Sequence, residues 1–126
     1  MSQTILIVDG QIAVRQLIQQ ALQNIGYQTD VADTAQEAVD YIAQHKPHAI
    51  ILDDELADMS GGQLCRQIKG EVTTNTIPVI MYSEGLRVTN PDYVKATGAD
   101  VALRKPASIE VILKAVQSAI QSIMIL

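Results

Sequence analysis

Four side chains able to take part in phosphoryl chemistry stand at the ends of four apolar runs in this 126-residue chain. Asp9 follows Ile5-Leu6-Ile7-Val8, and Asp53 follows Ala49-Ile50-Ile51-Leu52. Ser83 closes the run from Pro78 through Met81 and Tyr82, and Lys105 comes after Val101-Ala102-Leu103 and Arg104. Two carboxylates brought close together favour a divalent cation, and Mg²⁺ suits an all-oxygen set. One carboxylate can then attack phosphorus as a nucleophile. An ammonium and a hydroxyl beside it can neutralise and hydrogen-bond the equatorial oxygens of the transferred group. Each residue alone has a plainer reading: an Asp after a strand is commonly a cap or turn residue, and a Lys-Pro pair is commonly a solvated loop. The joint placement, one residue per run in succession, is what favours chemistry.

Those runs must be strands, and the segments between them read as helices. Continuous apolar stretches of three to five residues suit strands covered on both faces. Val14, Leu17, Ile18, Ala21, Leu22 and Ile25 recur at helical spacing, and Gly26 follows as a stop signal. A weaker strand is expected around residues 29–32. Thr34 with Glu37 has the form of a capping box, opening a helix whose buried stripe is Ala35, Ala38, Val39 and Ile42, closed by Pro47. Ser60 with Gln63 forms a second such box before Leu64 and Ile68. Asn90-Pro91-Asp92 supplies an N-cap, a first-turn proline and a first-turn acid for a short helix stopped by Gly98. Ser108 caps a last helix with Ile109, Ile112, Leu113, Val116, Ile120 and Ile123 on one face. Five strand-then-helix units predict one α/β domain over residues 1–126, with a parallel sheet covered on both faces. In such sheets the site lies at the carboxyl ends of the strands.

Composition narrows the function. Apolar residues make up 48% of the chain, with no Phe or Trp, so the core must be aliphatic. The net charge is −5 and no Lys/Arg-rich run occurs, which argues against direct nucleic-acid binding and against docking on an anionic membrane. The lone Cys65 cannot form an internal disulfide. No signal-peptide pattern and no stretch of about 20 apolar residues is present, so a cytoplasmic protein is expected.

Taken together, Ile5–Asp9, Ala49–Asp53, Pro78–Ser83, and Gly98-Ala99-Asp100 followed by Lys105-Pro106 resemble the receiver domains of two-component response regulators, along the whole chain. That resemblance implies a flavodoxin-like doubly wound (βα)5 three-layer sandwich with strand order 2-1-3-4-5. It implies that Asp53 is the phosphoacceptor, served by a histidine kinase or phosphotransfer protein and read by a downstream protein effector in a phosphorelay. Asp9 corresponds to a member of the acidic pair holding Mg²⁺, Glu55 to the residue offering its backbone carbonyl to the metal, Ser83 to the switch hydroxyl, and Lys105 to the phosphoryl-contacting lysine.

The chain departs from that pattern in three places. Gly10 stands where the family usually has the second acid, a direct metal ligand, so weakened Mg²⁺ binding is expected, with a water or the carboxylate of Glu55, Asp54 or Glu84 to stand in. Ala57 replaces a common proline. Ala102 replaces the aromatic that turns inward when the family switches, so signalling is expected to run through residues 84–89 and the helix after Asn90-Pro91. Tyr82 and Tyr93 are read as ordinary packing. Two other functions compete: a receiver fold serving as a phosphorylation-independent binding module, and a small phosphatase, since Asp53-Asp54-Glu55 is loosely similar to the Asp-x-Asp signature of haloacid dehalogenases. At the end of the chain, either Ile120 and Ile123 simply finish the core face of the last helix, or Met124 to Leu126 extend an exposed apolar patch for a partner or a second copy of the chain. His45, His48 and Cys65 carry no role in this reading.

Overall fold

The structure, a computed structural model, describes residues 2–125, with side chains over residues 2–122. Strands and helices alternate: β1 (Thr4–Val8), α1 (Ile12–Asn24), β2 (Gln28–Ala32), α2 (Ala35–Gln44), β3 (Ala49–Leu52), α3 (Gly61–Gly70), β4 (Val79–Ser83), a 3-10 turn (Leu86–Thr89), α4 (Pro91–Thr97), β5 (Val101–Arg104) and α5 (Ile109–Ile125). The five strands form one parallel sheet in the order β2-β1-β3-β4-β5, the expected topology.

The apolar runs of β1, β3 and β4 are buried throughout because helices cover both faces. Leu6, Val8, Ile50, Leu52, Val79 and Met81 face α2 and α3. Ile5, Ile7, Ala49, Ile51, Ile80 and Tyr82 face Ile18 and Leu22 of α1 and Ile112, Val116 and Ile120 of α5. Successive residues therefore alternate between the two layers of core. β2 lies at the sheet edge, and Gln28, Asp30 and Val31 remain exposed.

Two helical stripes are narrower than their spacing suggests. Leu17 is 60% exposed and Ile25 is also exposed, leaving Ile18 and Leu22 as the buried residues of α1. Leu17 sits about 100° around the helix from Ile18 and so turns off the contact line. Val39 of α2 is likewise exposed, for the same reason.

The helix starts follow the sequence signals. Ser60 and Gln63 close a complete capping box on α3. Thr34 accepts from Glu37 N–H, but the Glu37 carboxylate takes Asp33 N–H instead of Thr34 N–H, so that box is displaced by one residue. Asn90 Oδ1 accepts from Asp92 N–H and Tyr93 N–H ahead of Pro91. Gly98 ends α4 with φ of 80°, a left-handed conformation that favours glycine. Ile123, expected on the core face, and Met124 to Leu126, weighed above as a patch, lie outside the described side chains; Ile120 is buried against the sheet.

Candidate functional site

Register sets the site. Val8 pairs with Leu52, so Asp9 and Asp53 are each the first residue beyond paired rungs of adjacent central strands. Backbone bonds continue one step further: Asp53 N–H donates to Val8 O and Lys105 N–H donates to Ser83 O. Four apolar strand interiors thus deliver Asp9, Asp53, Ser83 and Lys105 to one rim of the sheet.

Lys105 ties the rim together. Its Nζ donates to Asp9 Oδ2 at 2.8 Å, to Asp53 Oδ2 at 3.2 Å and to Gln11 Oε1 at 3.3 Å. The remaining oxygens are engaged by backbone: Asp9 Oδ1 accepts Gln11 N–H at 2.9 Å, and Asp53 Oδ1 accepts Glu55 N–H at 3.1 Å. Burial pushes the Asp9 carboxyl above its ordinary value, against the pull of the Lys105 hydrogen bond. Burial alone would lower the Lys105 ammonium, but Asp9 and Asp53 together outweigh it and hold the group charged. Arg15 donates to Asp9 O at 2.7 Å and pairs with Asp33, fixing the turn after β1.

A polar cavity of about 130 Å³ opens above this cluster, lined by Gly10, Gln11, Asp53, Glu55, Glu84 and Lys105. Ser83 is fully buried beside it. Its hydroxyl accepts Gly85 N–H at 3.3 Å and makes no bond to Asp9, Asp53 or Lys105 in this arrangement. The three rim groups Asp9, Asp53 and Lys105 are in direct contact, whereas Ser83 is adjacent and turned aside.

The donor set fits Mg²⁺ in kind. Asp9, Asp53 and the Glu55 carbonyl are hard oxygen donors, and Mg²⁺ characteristically keeps several waters. At about 30 Å³ per water, the cavity has room for a partly hydrated ion. Among the described residues no three His, Cys, Asp or Glu side chains converge. With Gly10 in place of an acid, the ion would rely on fewer protein ligands and more water. Of the three carboxylates considered as stand-ins, Glu55 and Glu84 line the cavity and Asp54 does not.

Asp54 points the other way, toward α3 and α4. Its side chain is fully buried: Oδ1 accepts Gly62 N–H at 2.9 Å and the Tyr93 hydroxyl at 2.7 Å, and Oδ2 pairs with Arg87 Nη2 at 2.8 Å. That Arg87 contact is a charge pair without hydrogen-bond alignment, leaving Oδ2 buried with no aligned donor. Tyr93 therefore does more than pack.

Tyr82 too has a specific contact: its hydroxyl accepts Ala107 N–H, pinning the turn that carries Lys105, and the ammonium lies 5.6 Å from the ring centre. Gln11 and Arg15 were invisible in the sequence because each acts through backbone or amide geometry. Asp54, expected as a stand-in metal ligand, instead bonds Gly62 and Tyr93 away from the cavity.

The chain matches the family model of the response regulator receiver domain over residues 5–117. It is 34% identical over 113 residues to response regulator MprA of Mycobacterium tuberculosis, covering 90% of this chain and 48% of that protein. It is 37% identical over 105 residues to the phosphate regulon transcriptional regulatory protein PhoB of Pseudomonas aeruginosa, covering 83% and 46%. The chain spans about half the length of these curated relatives. Among solved structures, the chemotaxis response regulator CheY4 of Vibrio cholerae superposes with a TM-score of 0.87 at 26% identity, over 94% of this chain and 99% of that one. A CheY-like receiver domain protein from Methanospirillum hungatei JF-1 shares the fold with a TM-score of 0.91 at 24% identity, over 98% of both chains.

Proposed function

The chain belongs to the response regulator receiver domain family, and on that premise we propose that residues 1–126 form a phosphoacceptor domain that takes a phosphoryl group on Asp53 within a two-component phosphorelay. The observation that carries this reading is the Asp53 carboxylate, buried at the carboxyl rim, held by Lys105 and Glu55 N–H, and opening onto a polar cavity.

The donor is a phosphohistidine on a histidine kinase or phosphotransfer protein. An Asp53 oxygen attacks phosphorus, the histidine N–P bond breaks as the Asp O–P bond forms, and the leaving imidazole takes up a proton. Lys105 follows the charge from the carboxylate to the new phosphoryl oxygens, with Asp9 keeping the ammonium in place. Ser83 leaves Gly85 and donates its hydroxyl to a phosphoryl oxygen, which its present acceptor-only bond leaves free to happen. Asp9, Asp53 and the Glu55 carbonyl would hold Mg²⁺, which when bound neutralises phosphoryl charge. The chain then acts only on its own acyl phosphate, with no turnover of an outside phosphate ester. The phosphorylated form signals to a protein effector.

We place the protein in the cytoplasm. A single buried thiol supports this. Among the described residues, no helix is long and apolar enough to cross a membrane.

The test is treatment with acetyl phosphate and Mg²⁺ followed by intact-mass measurement. Wild type gains one phosphoryl group and Asp53→Asn gains none; an unmodified wild type beside a fully labelled control receiver contradicts the reading. One observation favours a second reading, a phosphorylation-independent binding module: Gly10 leaves the acid set short. Calorimetry separates the two, because Mg²⁺ binding strengthened by beryllofluoride belongs to the acceptor alone.

A further inference from the structure

The site needs a route outward, and β5 lacks the means: Ala102 pairs with Met81 and packs into the core as a methyl group, with no ring to reorient. A different device spans the same elements. Asp54 is joined to the acceptor by one peptide bond. Arg87 lies on the 3-10 turn that begins three residues after Ser83, and Tyr93 lies in the first turn of α4. The three side chains meet. Tyr93 donates to Asp54 Oδ1, Arg87 pairs with Asp54 Oδ2, and the Arg87 guanidinium lies 4.9 Å from the Tyr93 ring centre.

Three properties suit this cluster to a two-state role. The Asp54 side chain is 0% exposed while Arg87 is 56% exposed, so a fully buried carboxylate is paired with a cation that stands largely in solvent. Oδ2 has no aligned hydrogen-bond donor, so the present arrangement does not saturate the carboxylate and a rearranged one has something to gain. Gly62 admits the contact, since a Cβ there would fall on the Tyr93 hydroxyl. Burial, reinforced by the Asp54 hydrogen bond and charge, raises the Tyr93 hydroxyl above its ordinary value and keeps it a donor.

We propose that Asp54, Arg87 and Tyr93 form a latch that holds the segment from Ser83 to α4 in its resting arrangement and is rebuilt when Asp53 carries a phosphoryl group, so that phosphorylation is read out at the start of α4. This rests on the phosphoacceptor reading above. Both ends of the latch are tethered to the site: Asp54 moves with Asp53, and Arg87 moves with Ser83 through a three-residue link. A Ser83 hydroxyl drawn toward the phosphoryl group pulls the 3-10 turn away from Asp54. The ligand shifts the equilibrium because the two arrangements differ in how they satisfy one buried charge.

The test uses the full chain labelled with 3-fluorotyrosine. Its four tyrosines give four ¹⁹F resonances, assigned by single Tyr→Phe variants. On addition of acetyl phosphate or beryllofluoride with Mg²⁺, the Tyr93 resonance moves while Tyr27, at the opposite end of the sheet, stays. In Arg87→Ala the Tyr93 resonance is already displaced toward the phosphorylated position, and beryllofluoride binds about fivefold or more tightly, since a coupling must be reciprocal. Arg87→Lys, which keeps the charge, returns both readouts most of the way to wild type. Intact mass is recorded on each sample. Full phosphorylation of Asp53 with an unmoved Tyr93 resonance overturns the latch and leaves the acceptor reading standing. Absence of any phosphoryl group overturns both.

Discussion

Lys105 is one cation serving two carboxylates, and the surplus negative charge decides what each substitution there does. The Lys105 side chain is 5% exposed and both partners are about equally buried. Lys105→Ala leaves two buried carboxylates facing each other, and we expect it to lower stability by about 3 kcal/mol as well as to abolish phosphorylation. Asp53→Asn removes one of the opposed charges and keeps the bond from Glu55 N–H, so it is expected to be neutral or stabilising while equally inactive. Urea denaturation of the two variants checks the contrast; equal destabilisation contradicts it. Residue types at strand ends made Asp9, Asp53 and Lys105 legible in the sequence, because apolar strand interiors leave those side chains nowhere else to go. Gln11 was not legible: its role is to offer one N–H to Asp9 and one amide oxygen to Lys105, and neither bond leaves a pattern in a single sequence. Ser83 was placed correctly on its strand, yet its resting partner Gly85 depends on a loop conformation that spacing does not encode.

Between elements, the loop after β3 is anchored at both of its neighbours. Asp58 accepts Ala35 N–H and Gln36 N–H, both at 2.9 Å, at the start of α2. These bonds, Ala35 first, hold its carboxyl below the ordinary value of 3.8. A folded-state value below the unfolded one contributes stability that is complete above the unfolded value and is lost as pH falls through the folded one. Asp58→Asn is therefore expected to lower the urea midpoint at pH 7, with the difference from wild type vanishing as the pH is taken well below 3.8; a difference constant across that range contradicts the assignment. On the other side, Gly62 lies against Tyr93 with no room for a methyl group, and Gly62→Ala is expected to cost about 1–3 kcal/mol. Gly85→Ala makes the sharper comparison, because its Cβ meets the flexible end of Glu55 closely and Ser83 Oγ only at an ordinary 3.7 Å, and its φ of −65° suits alanine. Thermal melts showing the two substitutions equally harmful would contradict this account of the packing. Helix starts at Ser60 and Asn90 were legible because capping is local chemistry. The exposure of Leu17 and Val39 was not, because how wide a stripe a helix buries depends on the neighbours it meets.

For the whole molecule, alternation of strand and helix signals was enough to foresee a single parallel sheet, and strand order came with the family resemblance. What stayed hidden was the division of labour between the sheet's faces: residues 53 and 54 are adjacent, yet one opens on the rim cavity and the other is sealed against α3 and α4. The fold also silences its one thiol. Cys65 is fully buried, and burial pushes it up to about 11. Thiol reagents at pH 8 should modify it only as fast as the chain unfolds, and rapid labelling of native protein would contradict that. The central claim concerns which atom receives phosphorus, and one measurement addresses it most directly. Borohydride reduction of phosphodonor-treated protein converts an aspartyl phosphate to homoserine, and tandem mass spectrometry locates the altered residue. The account predicts homoserine at position 53 and at no other aspartate; homoserine at position 9 or 54, or none in protein treated with Mg²⁺ and phosphodonor, would contradict it.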